Sequence, residues 1–275
     1  MDILRFLPLS YLSWFVGFWA NLPLPQPLAR WTIMLFARAY GIDPTQASRP
    51  LESFRSIGEF FTRDLKPQLR PITSECVFPV DGTLRSCEEL TPDCDISQVK
   101  GKSYSLQKLL RDDEFVQRLS SGQLWNMYLS PKDAHHIYSP VSGRIVKTVH
   151  IPGALWPVND WALHSIDGLF AVNERVITFI ESQFGLVAVV MIGATNVGKI
   201  SLAYTALETN VRPWEKKSVR TILHSPAVSV ACGDKIGTFK MGSSVILITE
   251  NRQVPQSAPQ FPQAVQYGAA LYGAR

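Results

Sequence analysis

Charge is scarce in this chain. Asp, Glu, Lys and Arg together make up 18% of its 275 residues, against 46% apolar residues. That balance excludes a disordered chain, which is rich in charge and poor in large apolar side chains. A net charge of +4 suits an anionic surface, but it is far too small to mark a nucleic-acid binder, and no run of basic and aromatic residues supports one. Cysteine is equally sparse. Cys76, Cys87, Cys94 and Cys232 form no Cys-x-x-Cys pair and fit no zinc spacing, so neither a disulfide framework nor a metal is expected, and free thiols in a reducing compartment are the default. Long apolar runs are missing too. Residues 1–40 are unusually apolar, with Phe6, Leu7, Trp14, Phe15, Phe18 and Trp19, but Leu22-Pro23-Leu24-Pro25-Gln26-Pro27 breaks any helix there. The run is too short and too aromatic to span a bilayer, and it lacks the small-residue cleavage site of a signal peptide.

What is present at the start reads as helix. A first helix with Trp14 and Trp19 at headgroup level fits one lying in a membrane interface; the alternative is a hydrophobic helix docked on the core. A second helix is predicted from about Leu28 to Tyr40, ending at Gly41. Asp43-Pro44 starts a short helical piece, and Ser56-Ile57-Gly58-Glu59 carries a Ser-x-x-Glu capping pattern. Leu65 to Pro71 reads as an extended linker. The expected division is therefore a helical, membrane-associating region over 1–66 and a β-rich domain over 67–275.

From Val77 onward the pattern turns to short β-type runs separated by Gly, Pro and Asp. Strands are predicted at Trp125–Leu129, after Gly143, over Glu174–Ile180 and Leu186–Ile192 as a hairpin, at Val228–Cys232, and from Ser243 onward. Ser105 to Leu119 is the one helix expected in this half. Two Gly-containing turns that feed strands, at Pro140–Ile145 and Gly233–Phe239, suggest a barrel or sandwich of hairpin pairs. The fold class is thus α+β: a helical, membrane-facing N-terminal part followed by a β-rich barrel or sandwich body that carries the catalysis.

The chemistry is organised around Phe239-Lys240-Met241-Gly242-Ser243-Ser244. Gly242 has no Cβ, so its carbonyl is open to close approach, and Ser243 places a hydroxyl beside it. Attack of the Ser243 hydroxyl on that carbonyl converts the amide to an ester. Elimination then cuts the chain and leaves Ser243 as a pyruvoyl group, a carbonyl that captures amines and accepts electrons. A Gly-Ser-Ser before a strand is also an ordinary bulge or turn. Asp81, before Gly82, is either an Asx turn former or a buried acid that orients a base. His135 and His136 lie side by side in the loop Ser130–Pro140. Neighbouring histidines diverge, so they make a poor metal pair and a better acid–base site. His150, His164 and His224 are isolated and read as structural or surface residues.

Taken together, these motifs resemble the pyruvoyl-dependent phosphatidylserine decarboxylase family of bacterial membranes. The likeness runs through Glu59-Phe60-Phe61-Thr62-Arg63, Pro79-Val80-Asp81-Gly82, Gly101–Leu106, Tyr128 to His135, Pro152-Gly153, Phe170–Val176, Ile192–Gly198 and Gly237–Ile246. The resemblance implies self-cleavage between Gly242 and Ser243, with Ser243 becoming the covalent pyruvoyl cofactor. It implies Asp81 as the acid of the family's Asp-His-Ser charge relay and His135 as the histidine of the decarboxylation step. It implies phosphatidylserine as the substrate, captured as a Schiff base and released as phosphatidylethanolamine. It further implies two cleaved chains held as a heterodimer, a homo-oligomer, and a peripheral place on the cytoplasmic side of the cell membrane against an anionic surface.

Two departures stand out. Ser244 replaces the family's Thr and keeps the hydroxyl. Tyr138 stands where the family's His-x-x-His-x-Pro pattern has the triad histidine. A phenol, with a pKa near 10, is a poor base at neutral pH. His136 lies on the same side of an extended segment and could help. A relative that fails to mature and binds phospholipid without turning it over is the alternative that Tyr138 keeps open. A lipoyl-type carrier is the third reading, but no hairpin tip offers the exposed lysine it needs.

Overall fold

In the computed structural model, residues 9–91, 93, 95–99, 102–195, 199–211, 214, 218–240, 243–250 and 261–271 are described. Cys94, Gly101, Asn196 to Gly198, Met241 and Gly242 lie outside them, as do Phe6 and Leu7. The helices are α1 (Leu9–Ala20), α2 (Gln26–Tyr40), α3 (Ile57–Phe61), α4 (Leu106–Leu110), α5 (Asp113–Leu119), α6 (Asp160–Ser165) and α7 (Leu169–Val172). The strands are β1 (Gly82–Glu89), β2 (Asp95–Val99), β3 (Lys102–Ser105), β4 (Gln123–Leu129), β5 (His136–Tyr138), β6 (Gly143–Ile151), β7 (Arg175–Ser182), β8 (Gly185–Ile192), β9 (Ile200–Leu202), β10 (Arg220–Val230), β11 (Lys235–Phe239), β12 (Ser243–Thr249) and β13 (Gln263–Val265).

An unbroken apolar run dictates a strand buried on both faces, and Val245-Ile246-Leu247-Ile248 is such a run. All four are fully buried. They place β12 inside an eight-stranded sheet of order β10-β6-β7-β8-β12-β4-β1-β13. β12 is antiparallel to β4 through Ser243↔Leu129 and to β8 through Ser244↔Ile192. The hairpin expected across Gln183-Phe184-Gly185 is β7–β8, with Gly185 at φ 84°. Among the described strands no pairing closes this sheet into a barrel; its edges are β10 and β13. A second sheet, β5-β11-β9, carries the two segments that lead to the chemistry, and β2 pairs with β3. One large core, with Trp125, Phe179, Phe170 and Phe239 among its members, serves the whole β-rich part.

The helix expected over 105–119 is two helices. Ser105 caps α4 and Asp112 caps α5. Arg111 between them adopts φ 51°, a left-handed conformation that ends a helix. The Ser56 cap is present: its hydroxyl accepts from the Glu59 amide at 3.0 Å. The Glu59 carboxylate turns back to accept from the Arg55 amide at 2.8 Å, one residue before the usual target of a capping box. α2 ends at Gly41, φ 67°.

A smaller core of Ile33, Ala37, Ile42, Ala47, Phe54 and Phe60 holds the N-terminal helices. α2 buries Ala29, Ile33 and Ala37, spaced i, i+4, i+8, and turns Leu28, Trp31 and Leu35 outward. α1 is inverted relative to a soluble helix. Among its described side chains Ser13 is the buried one, while Phe15, Phe18 and Trp19 are more than half exposed. No helix among the described residues is long and apolar enough to cross a membrane. The segment expected to be an extended linker is tied down: Leu65 bridges Ala47, and Pro67–Leu69 makes a 3-10 turn that delivers Arg70.

Candidate active site

The site forms where the loop after β4 meets the end of β11. Phe239 donates its amide to the His135 carbonyl at 2.9 Å, and four residues later the chain resumes as β12 at Ser243. The loop is shaped by Asp133, whose carboxylate accepts from the Ser130 amide at 2.8 Å and from its hydroxyl at 2.7 Å. This turn places His135 inside the protein and His136 on β5.

His135 is completely buried. Its ring lies 3.9 Å from that of Phe61. Nδ1 sits 2.8 Å from the Asp133 carbonyl. A carbonyl only accepts, so Nδ1 carries the proton and Nε2 keeps its lone pair. Among the described residues Nε2 has no partner. Burial pushes the imidazole down to about 3, with Arg63 and His136 adding to the effect against the Asp133 carbonyl. The ring is therefore neutral at pH 7.

His136 has a different setting. Nδ1 lies 2.9 Å from the Thr238 hydroxyl, and Nε2 lies 3.2 Å from Asp64 Oδ1. Lys235 also holds Asp64. Burial, then the Lys235 charge, bring His136 down to about 4, in spite of the opposing pull of Asp64.

Asp81 is buried and faces Arg70. The guanidinium gives Nε to Oδ1 at 2.8 Å and Nη2 to Oδ2 at 2.7 Å, and the Tyr267 amide donates to Oδ1 at 3.0 Å. Tyr138 stacks on Tyr267, with centroids 3.8 Å apart and planes 12° apart. The Tyr138 hydroxyl is pushed well above the ordinary phenol range, first by burial and then by Tyr267, Asp64 and Asp81. The rings of His136 and Tyr138 are 6.3 Å apart, as their i, i+2 spacing on a strand requires. Ser244 is completely buried on β12, and among the described residues its hydroxyl has no partner. Ser243 begins β12 opposite Leu129, while its cleavage partner Gly242 is outside the described residues.

Several members of this cluster could not be picked out by spacing alone. Arg63 is buried with its guanidinium 5.0 Å over the Phe60 ring, and donates to the Lys132 carbonyl at 2.9 Å. Its Nε and Nη1 find no acceptor among the described residues. Burial lowers it to about 10, against the pull of Asp81 and Asp133. Arg63 stands inside a motif quoted above, but nothing in its spacing marked it as part of the site. Asp64, Arg70, Thr238 and Tyr267 likewise come from separate stretches of the chain. Among the described residues no group of His, Cys, Asp or Glu could hold a metal ion. The isolated histidines have structural partners: His150 pairs with buried Glu174 at 3.1 Å, and His224 meets the Thr148 hydroxyl at 2.9 Å.

Comparison with known proteins agrees on one family. The family profile described as phosphatidylserine decarboxylase matches residues 57–273. A phosphatidylserine decarboxylase proenzyme of Myxococcus xanthus is 36% identical, covering 92% of this chain and 90% of its own. The proenzyme of an Anaeromyxobacter strain is 37% identical over 100% of this chain and 98% of its own. That of Coxiella burnetii is 33% identical over 98% and 94%. The matched region contains Asp81, His135, Ser243 and the strands that position them, and the chain belongs to the phosphatidylserine decarboxylase family.

Proposed function

We propose that this chain is a carboxy-lyase that converts phosphatidylserine to phosphatidylethanolamine, using a pyruvoyl group formed from its own Ser243. The observation that carries the reading is the placement of His135 beside the segment leading to Ser243: a neutral, fully buried imidazole whose Nε2 lone pair has no partner among the described residues.

The residues present fit a pyruvoyl group at position 243. The position opens a central strand, paired on both sides further along, so a new chain terminus there stays anchored by β4 and β8. The unsatisfied hydroxyl of Ser244 and the free Nε2 of His135 are polar atoms without partners among the described residues, in a buried region, and such atoms are costly to leave unpaired. A pyruvoyl group supplies a carbonyl that takes up an amine and draws electrons from the bond to the departing carboxylate.

The protein's own tasks follow from the geometry. A substrate ammonium must lose a proton before its nitrogen can react. His135, held down at a pKa of about 3, is too weak a base to take it, and its Nε2 lone pair instead accepts a hydrogen bond from the substrate nitrogen and orients it. The Phe61 ring keeps water from that side of the imidazole. In self-cleavage the Ser243 hydroxyl must be deprotonated. Asp81 is a buried acid held by Arg70, Tyr138 occupies the family's histidine position, and the Asp64–His136 pair lies next to it.

The outward rings of α1 and α2, joined by Trp214, which is 60% exposed and packs 6.0 Å from Trp14, support a peripheral seat on a membrane, which the proposal puts on its cytoplasmic face. In this reading residues 1–66 form the membrane-associating region, the two cleaved chains stay together, and copies assemble as a homo-oligomer. The raised pKa of Tyr138 favours the second reading, a relative that binds phospholipid but fails to mature. Release of labelled carbon dioxide from carboxyl-labelled phosphatidylserine in vesicles decides between them: turnover by the purified protein supports the lyase, and none after long incubation supports the binder.

A further inference from the structure

A cavity of about 320 Å³ lies between α1 and the β-rich part. Trp14, Phe18 and Leu22 line it from the helix side; Lys199, Asn210 and Lys240 line it from the other. The two lysines are tied together in the backbone, since the Lys240 amide donates to the Lys199 carbonyl at 3.1 Å. They share one counter-charge: Glu208 Oε1 is 2.9 Å from the Lys240 ammonium and 3.4 Å from that of Lys199. The trio therefore keeps one net positive charge. Each ammonium has three donors and spends one on Glu208, so each has donors to spare.

From these observations we propose that the cavity binds the phosphodiester of an anionic phospholipid head group, with Lys199 and Lys240 as its ligands. The inference rests on the lipid-substrate reading above and assigns the residues that would hold that lipid. The surroundings fit a lipid rather than a soluble phosphate, because the wall formed by α1 continues outward into the exposed rings of Phe15, Phe18 and Trp19. Acyl chains leaving the cavity on that side stay among apolar side chains.

The distance also fits. Lys240 precedes Ser243 by three residues, and three residues span at most about 11 Å of chain. A phosphate held by Lys240 is therefore held by a residue whose backbone lies at most three links from position 243. The charge fits in sign as well. Phosphatidylserine carries one net negative charge and phosphatidylethanolamine none, so a site with one net positive charge holds the substrate more firmly than the product.

The test uses the full chain carrying Ser243→Ala, which cannot form the cofactor, so that binding is read without turnover. Tryptophan fluorescence is followed on adding phosphatidylcholine vesicles with and without phosphatidylserine, vesicles with phosphatidylethanolamine, soluble glycerophosphoserine, and inorganic phosphate. The expected result is preference for the phosphatidylserine vesicles over both others. Glycerophosphoserine should compete weakly, and inorganic phosphate more weakly still. Lys199→Gln and Lys240→Gln should each reduce that preference roughly tenfold, while Lys66→Gln leaves it unchanged. Lys199→Arg and Lys240→Arg, which keep the charge, should retain most of it.

Unchanged preference in both glutamine variants, with thermal unfolding also unchanged, overturns the proposal. Equal losses from Lys66→Gln overturn it too, because they mean general surface charge. Inorganic phosphate competing as well as glycerophosphoserine, with no advantage for lipid, means a plain anion site and overturns it. The decarboxylase reading fails separately, on absence of carbon dioxide release by the wild-type protein, and that result does not touch the binding data.

Discussion

Asp81 and Arg70 form a two-pronged ion pair, Nε to Oδ1 at 2.8 Å and Nη2 to Oδ2 at 2.7 Å, with both side chains largely out of water. The acid that the family resemblance places in a charge relay is thus held by an arginine eleven residues earlier. Removing one partner of such a pair leaves the other buried and uncompensated, at a cost of about 3–5 kcal/mol. Arg70→Ala should therefore lower the urea midpoint strongly. The double variant Arg70→Ala/Asp81→Asn should recover part of the loss, because no charge is then stranded. Urea denaturation of the wild-type protein and the two variants checks this, and equal stability of the single and double variants contradicts it.

Tyr138→His places an imidazole where the family resemblance expects the triad histidine, against the Tyr267 ring. An imidazole titrates near neutrality and a phenol does not. Self-cleavage of this variant should be faster by roughly 10-fold or more, within the range that a positioned base supplies. His136→Ala in the wild-type background should slow cleavage, if the Asp64–His136 pair assists. Time courses of intact mass during expression or refolding give both rates.

Both loop histidines are held below their ordinary pKa in the folded state, His135 at about 3 and His136 at about 4. The unfolded chain therefore binds more protons than the native one below the ordinary histidine range. Stability from these groups is fully present above about pH 6.5 and is lost as pH falls toward those lower values. The urea midpoint should decline between roughly pH 6.5 and pH 4, and His135→Gln should flatten that decline. A flat profile in the wild-type protein rejects the burial of neutral imidazoles.

Ser244 presents a conflict between stability and use. Its hydroxyl is buried and, among the described residues, unpaired. An unpaired buried hydroxyl costs about 1–3 kcal/mol, so Ser244→Ala should raise stability or leave it unchanged. The same substitution should slow self-cleavage if the hydroxyl serves the acyl shift. Higher stability with an unchanged cleavage rate assigns Ser244 to packing alone.

The central strand was legible in the sequence because Val245 to Ile248 form an unbroken apolar run, and the β7–β8 hairpin because its two strands flank a Gly turn. The capping serine of α3 was legible for the same local reason. The break at Arg111 was not, since a left-handed arginine leaves no mark that Gly would. The open sheet was not legible either, because strand order depends on long-range pairing that turn patterns do not encode. Of the site, Asp81, His135 and Ser243 came from motifs. Arg70, Asp64 and Thr238 reach it through tertiary contacts 11 to 102 residues long, and no spacing rule connects them.

The central claim is that Ser243 becomes the cofactor, and the intact mass of the purified protein under denaturing conditions tests it most directly. The account predicts two chains, the smaller beginning at residue 243 and lacking a free amino terminus. A single full-length chain that persists through long incubation contradicts it and leaves a phospholipid-binding protein without the means to turn its ligand over.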